Sequence, residues 1–165
     1  MQTLPSRLVA CAAGLGLLLS GCGGGSDSPE PTPIGATLTV SAATNAGFNG
    51  VYTTGAINLA EVVKVNPIGS EPEVCSFRFS GLANFAGAML DGDIRYLPGT
   101  NALRVVFVSV NGFEFSSRDT ANASVNRTAN TIDFSSKLLT ASTGVASTIT
   151  LTGSVPMRSG RPEGC

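Results

Sequence analysis

The clearest hydrophobic pattern lies near the C-terminus, where Ile149, Leu151, Val155 and Met157 alternate with Thr148, Thr150, Thr152 and Ser154. A period of two marks a half-buried strand over residues 148–157. Gly153 falls on its apolar side, where a missing side chain admits a bulky neighbour or marks a bulge. Cys75, Phe77 and Phe79 alternate in the same way with Ser76, Arg78 and Ser80, which puts Cys75 on a buried face. Residues 102–110 are more apolar: Leu103, Val105 and Phe107 share one face, and Val106, Val108 and Val110 the other. Both faces are therefore expected to be covered, with Arg104 snorkelling or lying at the strand edge. Asn111-Gly112 then supplies the left-handed geometry of a type I′ turn, and the chain returns through Phe113 and Phe115 as the second arm of a hairpin.

Further strands are predicted over 36–41, 50–54, 60–65, 89–97, 124–127, 131–135 and 137–140. Asn66-Pro67, Pro98-Gly99 and Ala129-Asn130 read as turns, and residues 81–89 as a small-residue connector with room for a brief helix. Many short strands, with no amphipathic stretch long enough for crossover helices, predict an all-β domain. The expected architecture is a small antiparallel meander forming an open or closed barrel, with an immunoglobulin-like sandwich as the alternative. Asn130-Thr131-Ile132-Asp133-Phe134 and Thr148-Ile149-Thr150-Leu151-Thr152-Gly153 resemble strands of calycin-type barrels. That resemblance implies a barrel and carries no residue role.

The N-terminal part is organised differently. Arg7 is the only charge before an apolar run over 8–19, too short to cross a bilayer as a helix, and Leu19-Ser20-Gly21-Cys22 follows it. These residues resemble the signal and lipobox of a bacterial lipoprotein precursor. The resemblance implies removal of residues 1–21, acylation of Cys22 and attachment to a lipid bilayer; an ordinary signal peptide with an incidental Cys22 is the competing reading. Gly23 behind the cysteine implies the outer membrane, facing the periplasm or the exterior. Residues 22–33 then form the lipidated end and a flexible spacer rich in Gly, Ser and Pro, and residues 34–165 a single domain.

Composition narrows the chemistry. The chain has 10 basic and 11 acidic residues; loss of Arg7 leaves 9 and 11, a net charge of −2 with no basic field for nucleic acid. Of four cysteines, Cys11 lies in the expected signal and Cys22 at the expected lipid site. Cys75 and Cys165 remain, and an oxidising envelope compartment predicts a disulfide between them. Histidine is absent, which removes the usual general base of a Ser-His-Asp hydrolase and the commonest transition-metal ligand. Asp91 and Asp93 flank Gly92 and read as a plain turn rather than a metal or acid/base pair, because no EF-hand series accompanies them. Glu114, Asp119 and Asp133 receive no catalytic role. Tyr52, Tyr96 and the phenylalanines are expected in the core, with the lining of a cavity as the alternative.

No cofactor, metal or catalytic residue is therefore expected. The sequence predicts a non-enzymatic, membrane-tethered envelope lipoprotein with a structural role or a protein partner in the envelope; the alternative is binding of a small apolar ligand in a β-barrel cavity.

Overall fold

The computed structural model describes residues 34–143 and 147–165. The expected signal peptide, Cys22 and spacer lie outside the described residues.

Among the described residues eleven strands run in chain order as β1 (Ala36–Ser41), β2 (Gly50–Thr54), β3 (Asn58–Leu59), β4 (Val63–Val65), β5 (Val74–Ala83), β6 (Met89–Tyr96), β7 (Leu103–Val110), β8 (Phe113–Ser117), β9 (Ala123–Asn126), β10 (Thr131–Ala141) and β11 (Thr148–Pro156). Pairing proceeds from β11 through β1, β2, β5, β6, β7 and β8 to β10, and β10 pairs again with β11. The result is a closed, eight-stranded antiparallel barrel, an architecture consistent with the calycin-like resemblance.

Two long strands hold the extra pieces. Beyond its contact with β2 at Thr53 and Ala83, β5 carries β3 and then β4 along the same edge. Strand β10 pairs with β8 at one end and β9 at the other. The immunoglobulin-like alternative is thereby excluded: the ladder from Thr131 and Pro156 to Thr140 and Thr148 joins what would be two sheet edges into one wall.

Alternation fills the lumen. Leu38 and Val40 of β1, Tyr52 of β2, Phe77 and Phe79 of β5, Ile94 of β6, Val106 and Val108 of β7, Phe115 of β8 and Leu151 of β11 all belong to one buried cluster. Tyr52, Phe77 and Phe115 among them are 0–1% exposed, so these side chains fill the interior as one core. Gly153 sits on the inward side, as its place in the alternation predicts. A Cβ there would lie 2.6 Å from the Thr37 carbonyl oxygen and 3.1 Å from the Leu38 side chain, so the missing side chain lets β1 close on β11.

Several local expectations change. Residues 131–135 and 137–140 belong to one strand, because a bulge between Phe134 and Lys137, with Ser136 at φ 58°, absorbs the break in alternation. Of the predicted strand over 60–65 only β4 at Val63–Val65 forms, and β3 lies wholly before it. No helix forms over 81–89: β5 continues to Ala83, and Asn84 closes a tight turn by accepting from Ala88 N through its side chain and from Gly87 N through its carbonyl. The short helix falls instead at Ala46–Phe48, capped by the Asn45 side chain. The turn after β4 centres on Gly69 and Ser70 between bridged Ile68 and Glu71, beyond Asn66-Pro67. Asn111 and Gly112, at φ 51° and 84°, make the predicted left-handed turn.

The C-terminal tail returns across one end of the barrel. Cys165 is disulfide-bonded to Cys75, as the cysteine count predicts. Met157 N donates to Asn130 O, Arg158 Nε to Leu59 O and Gly99 N to Gly164 O, tying the tail to three separate parts of the wall.

Candidate functional site

The outward positions of β5 to β8 form two adjacent cross-strand rows. One contains Arg78, Asp93, Phe107 and Ser116, neighbours by direct pairing. The other contains Asp91, Ser109 and Glu114, again directly paired, and is extended on the β5 side by Ser80 opposite Asn58. The wall is bent here, because an extra residue in β5 between Phe79 and Leu82 faces the shorter step from Gly92 to Leu90. On the other side of the wall the Phe79 ring packs directly on Gly92, where a Cβ would come within 2.4 Å of the ring.

The rows border an open groove of about 580 Å³ on the outside of the barrel, within the size range of small-molecule sites. Ile57, Leu59 and Arg158 complete one side of it. Phe107 is the aromatic element and is only half-buried, because its outward face is not covered by another layer. The Arg95 guanidinium lies 5.3 Å from its ring centroid, a cation–π contact that fixes the ring. Asp93 accepts from Ser76 Oγ at 3.2 Å and from Arg78 Nε and Arg95 at 3.3 Å each, so its charge is compensated within the wall. Among the described residues Asp91 accepts from the Gly81 amide alone, at 3.3 Å. Asp91, Glu114 and Arg158 make no ion pair among the described residues.

Asp91-Gly92-Asp93 is not a turn; it is the middle of β6, with both carboxylates outward and the glycine inward under Phe79. Among the described residues no three acidic or cysteine side chains gather in a metal-holding group. Of the remaining acids, Glu114 joins the groove, whereas Asp133 accepts from Ser154 Oγ at 2.7 Å and Asp119 pairs with Lys137 at 3.7 Å. Tyr52 and Tyr96 are fully buried core residues, their hydroxyls donating to Phe48 O at 2.8 Å and Cys165 O at 2.9 Å. Burial pushes both phenols above their ordinary pKa.

Three features are not visible from local pattern. Arg158 reaches the groove because the tail folds back along β3. Glu71 receives Arg104 at 2.9 Å and Arg118 at 3.4 Å, and the Arg104 hydrogen bond, followed by its charge, holds the carboxyl below its usual pKa. Lys137 occupies an inward position beside Leu151, and its ammonium donates to the carbonyls of Asp119 and Ala121. A lysine in an otherwise apolar alternation is the one sequence signal for that last arrangement.

Comparison with protein-family models, with curated proteins and with solved structures finds no match to this chain.

Proposed function

We propose that the barrel is a non-enzymatic ligand-binding domain, carried by acylated Cys22 on the cell envelope, whose site is the groove across the outer face of β5 to β8. The observation that carries this reading is the groove itself: a concavity of about 580 Å³ with an oriented aromatic side chain and, among the described residues, the unpaired charges of Asp91, Glu114 and Arg158. A purely structural role calls for neither. Ligand binding in a β-barrel is thus the better supported of the two functions expected from sequence. Its location differs from a lumenal cavity, because the lumen is occupied by side chains. The ligand on this reading has an apolar surface for Phe107 and polar groups for the groove walls, which makes it amphipathic rather than wholly apolar.

Mass spectrometry of the protein gently extracted from its own membranes tests both parts. A bound small molecule released on denaturation, and lost in Phe107→Ala, is the expected result; equal recovery from wild type and Phe107→Ala rejects the groove. The intact mass should contain the added lipid and lack residues 1–21, and Cys22→Ala should release the domain from membranes. An unmodified Cys22 rejects the tether.

A further inference from the structure

The groove carries unpaired charge of opposite sign on opposite sides. Arg158 lies at the β3 side, held there by its Nε bond to Leu59 O at 2.9 Å, which leaves the terminal guanidinium nitrogens unengaged by the described residues. Asp91 on β6 and Glu114 on β8 lie across the groove with no cation paired to them among the described residues. Between them, Arg78 and Arg95 share the single carboxylate of Asp93, a cluster with one excess positive charge beside Phe107. An occupant of this groove therefore gains a charge-assisted contact by presenting an anion to Arg158 and a cation to Asp91 or Glu114.

The spacing restricts its length. At about 4.8 Å per strand, β3 lies two spacings from β6 and four from β8 through β5, so the two charges of the occupant stand roughly 10 to 19 Å apart. A single amino acid is too short to span this. A peptide rising about 3.3 Å per residue spans it with roughly three to six residues. Ser80 and Ser109 lie along the path and offer hydroxyls to a peptide backbone, and Phe107 offers its ring to a side chain.

We infer that the groove binds a short peptide with free termini, its carboxylate at Arg158 and its ammonium over Ser109, between Asp91 and Glu114 and three strand spacings, about 14 Å, from β3. This rests on the proposed groove function and names its ligand class. The test is calorimetric titration of the purified protein with four probes: tetra-alanine with free termini, its N-acetyl form, its C-amide form, and neutral maltotetraose. Free tetra-alanine should bind, and each cap should weaken binding about tenfold or more, a change equal to about 1.4 kcal/mol. Glu114→Gln should remove the discrimination against the N-acetyl peptide, and Arg158→Gln that against the C-amide, with thermal unfolding confirming that both variants are folded. Capped peptides binding as tightly as the free one overturn the inference. Maltotetraose binding that is lost in Phe107→Ala, with no peptide binding, overturns it while leaving the groove as a ligand site; failure of all four probes counts against both.

Discussion

The Tyr96 hydroxyl donates to the Cys165 carbonyl at 2.9 Å, and Tyr96 is also the residue that faces Cys75 across the β5–β6 ladder. Tyrosine and disulfide therefore hold the same tail from two sides. The bridge closes a sequence separation of 90 residues, for which the chain-entropy model gives about 4.6 kcal/mol before strain. Reduction should lower stability by about 2–5 kcal/mol in a denaturant titration while the strands persist. Tyr96→Phe strands the buried carbonyl and should cost about 1–3 kcal/mol. An unchanged midpoint after complete reduction refutes the stabilising role. Because Arg158 is on the same tail, reduction should also weaken any ligand that uses this arginine, and Arg158→Gln should abolish that redox dependence.

Both tyrosines of the chain are buried with pKa values raised chiefly by desolvation. The unfolded chain releases these protons near pH 10, and the folded chain only at higher pH. Their stabilising contribution is thus complete below about pH 10 and is lost as pH rises through the folded values. Phenolate absorbance of the native protein should stay low past pH 10 and then appear together with loss of the far-UV strand signal. Smooth titration near pH 10 with the fold intact contradicts the burial of both rings.

Gly92 and Phe79 are coupled through the wall of the groove. A methyl at position 92 meets the ring at 2.4 and 2.5 Å, so Gly92→Ala should cost about 1–3 kcal/mol by overpacking. Adding Phe79→Leu to Gly92→Ala should cost less than the sum of the single changes, since the smaller side chain vacates the contact. Strict additivity in a double-mutant cycle contradicts the packing.

How far the chain discloses this arrangement depends on the range of the interactions. The alternation of β1, β2, β7 and β11 and the Asn111-Gly112 turn are local, and their boundaries are legible within a residue or so. The Cys75–Cys165 bond follows from which cysteines remain in the domain. Strand β10 is harder, because the Ser135-Ser136 bulge interrupts the pattern that places Phe134 and Lys137 on the same side. The groove is harder still. Phe107 looks like half of a covered strand until pairing shows that Asp93 and Ser116 flank it on an open face, and Arg158 enters only through the return of the tail.

Lys137 offers a separate check on that bulge. Its ammonium serves the carbonyls of Asp119 and Ala121 in the segment between β8 and β9, and its side chain is only 1% exposed. Lys137→Met keeps the apolar stem and should cost about 1.5–3 kcal/mol through loss of the charge-assisted hydrogen bonds to these carbonyls. Amide exchange should rise across residues 118–122. Wild-type exchange there in a folded Lys137→Met protein contradicts the role of the ammonium.

The central claim is that this barrel binds on its outer wall and not in its lumen, and chemical-shift mapping of the purified protein against a library of small amphipathic molecules tests it most directly. Binders should move the amides of Ser80, Asp93, Phe107 and Ser109 and leave the rings of Tyr52 and Tyr96 unperturbed. Shifts concentrated on Leu38, Tyr52 and Val108, with the groove silent, would contradict it.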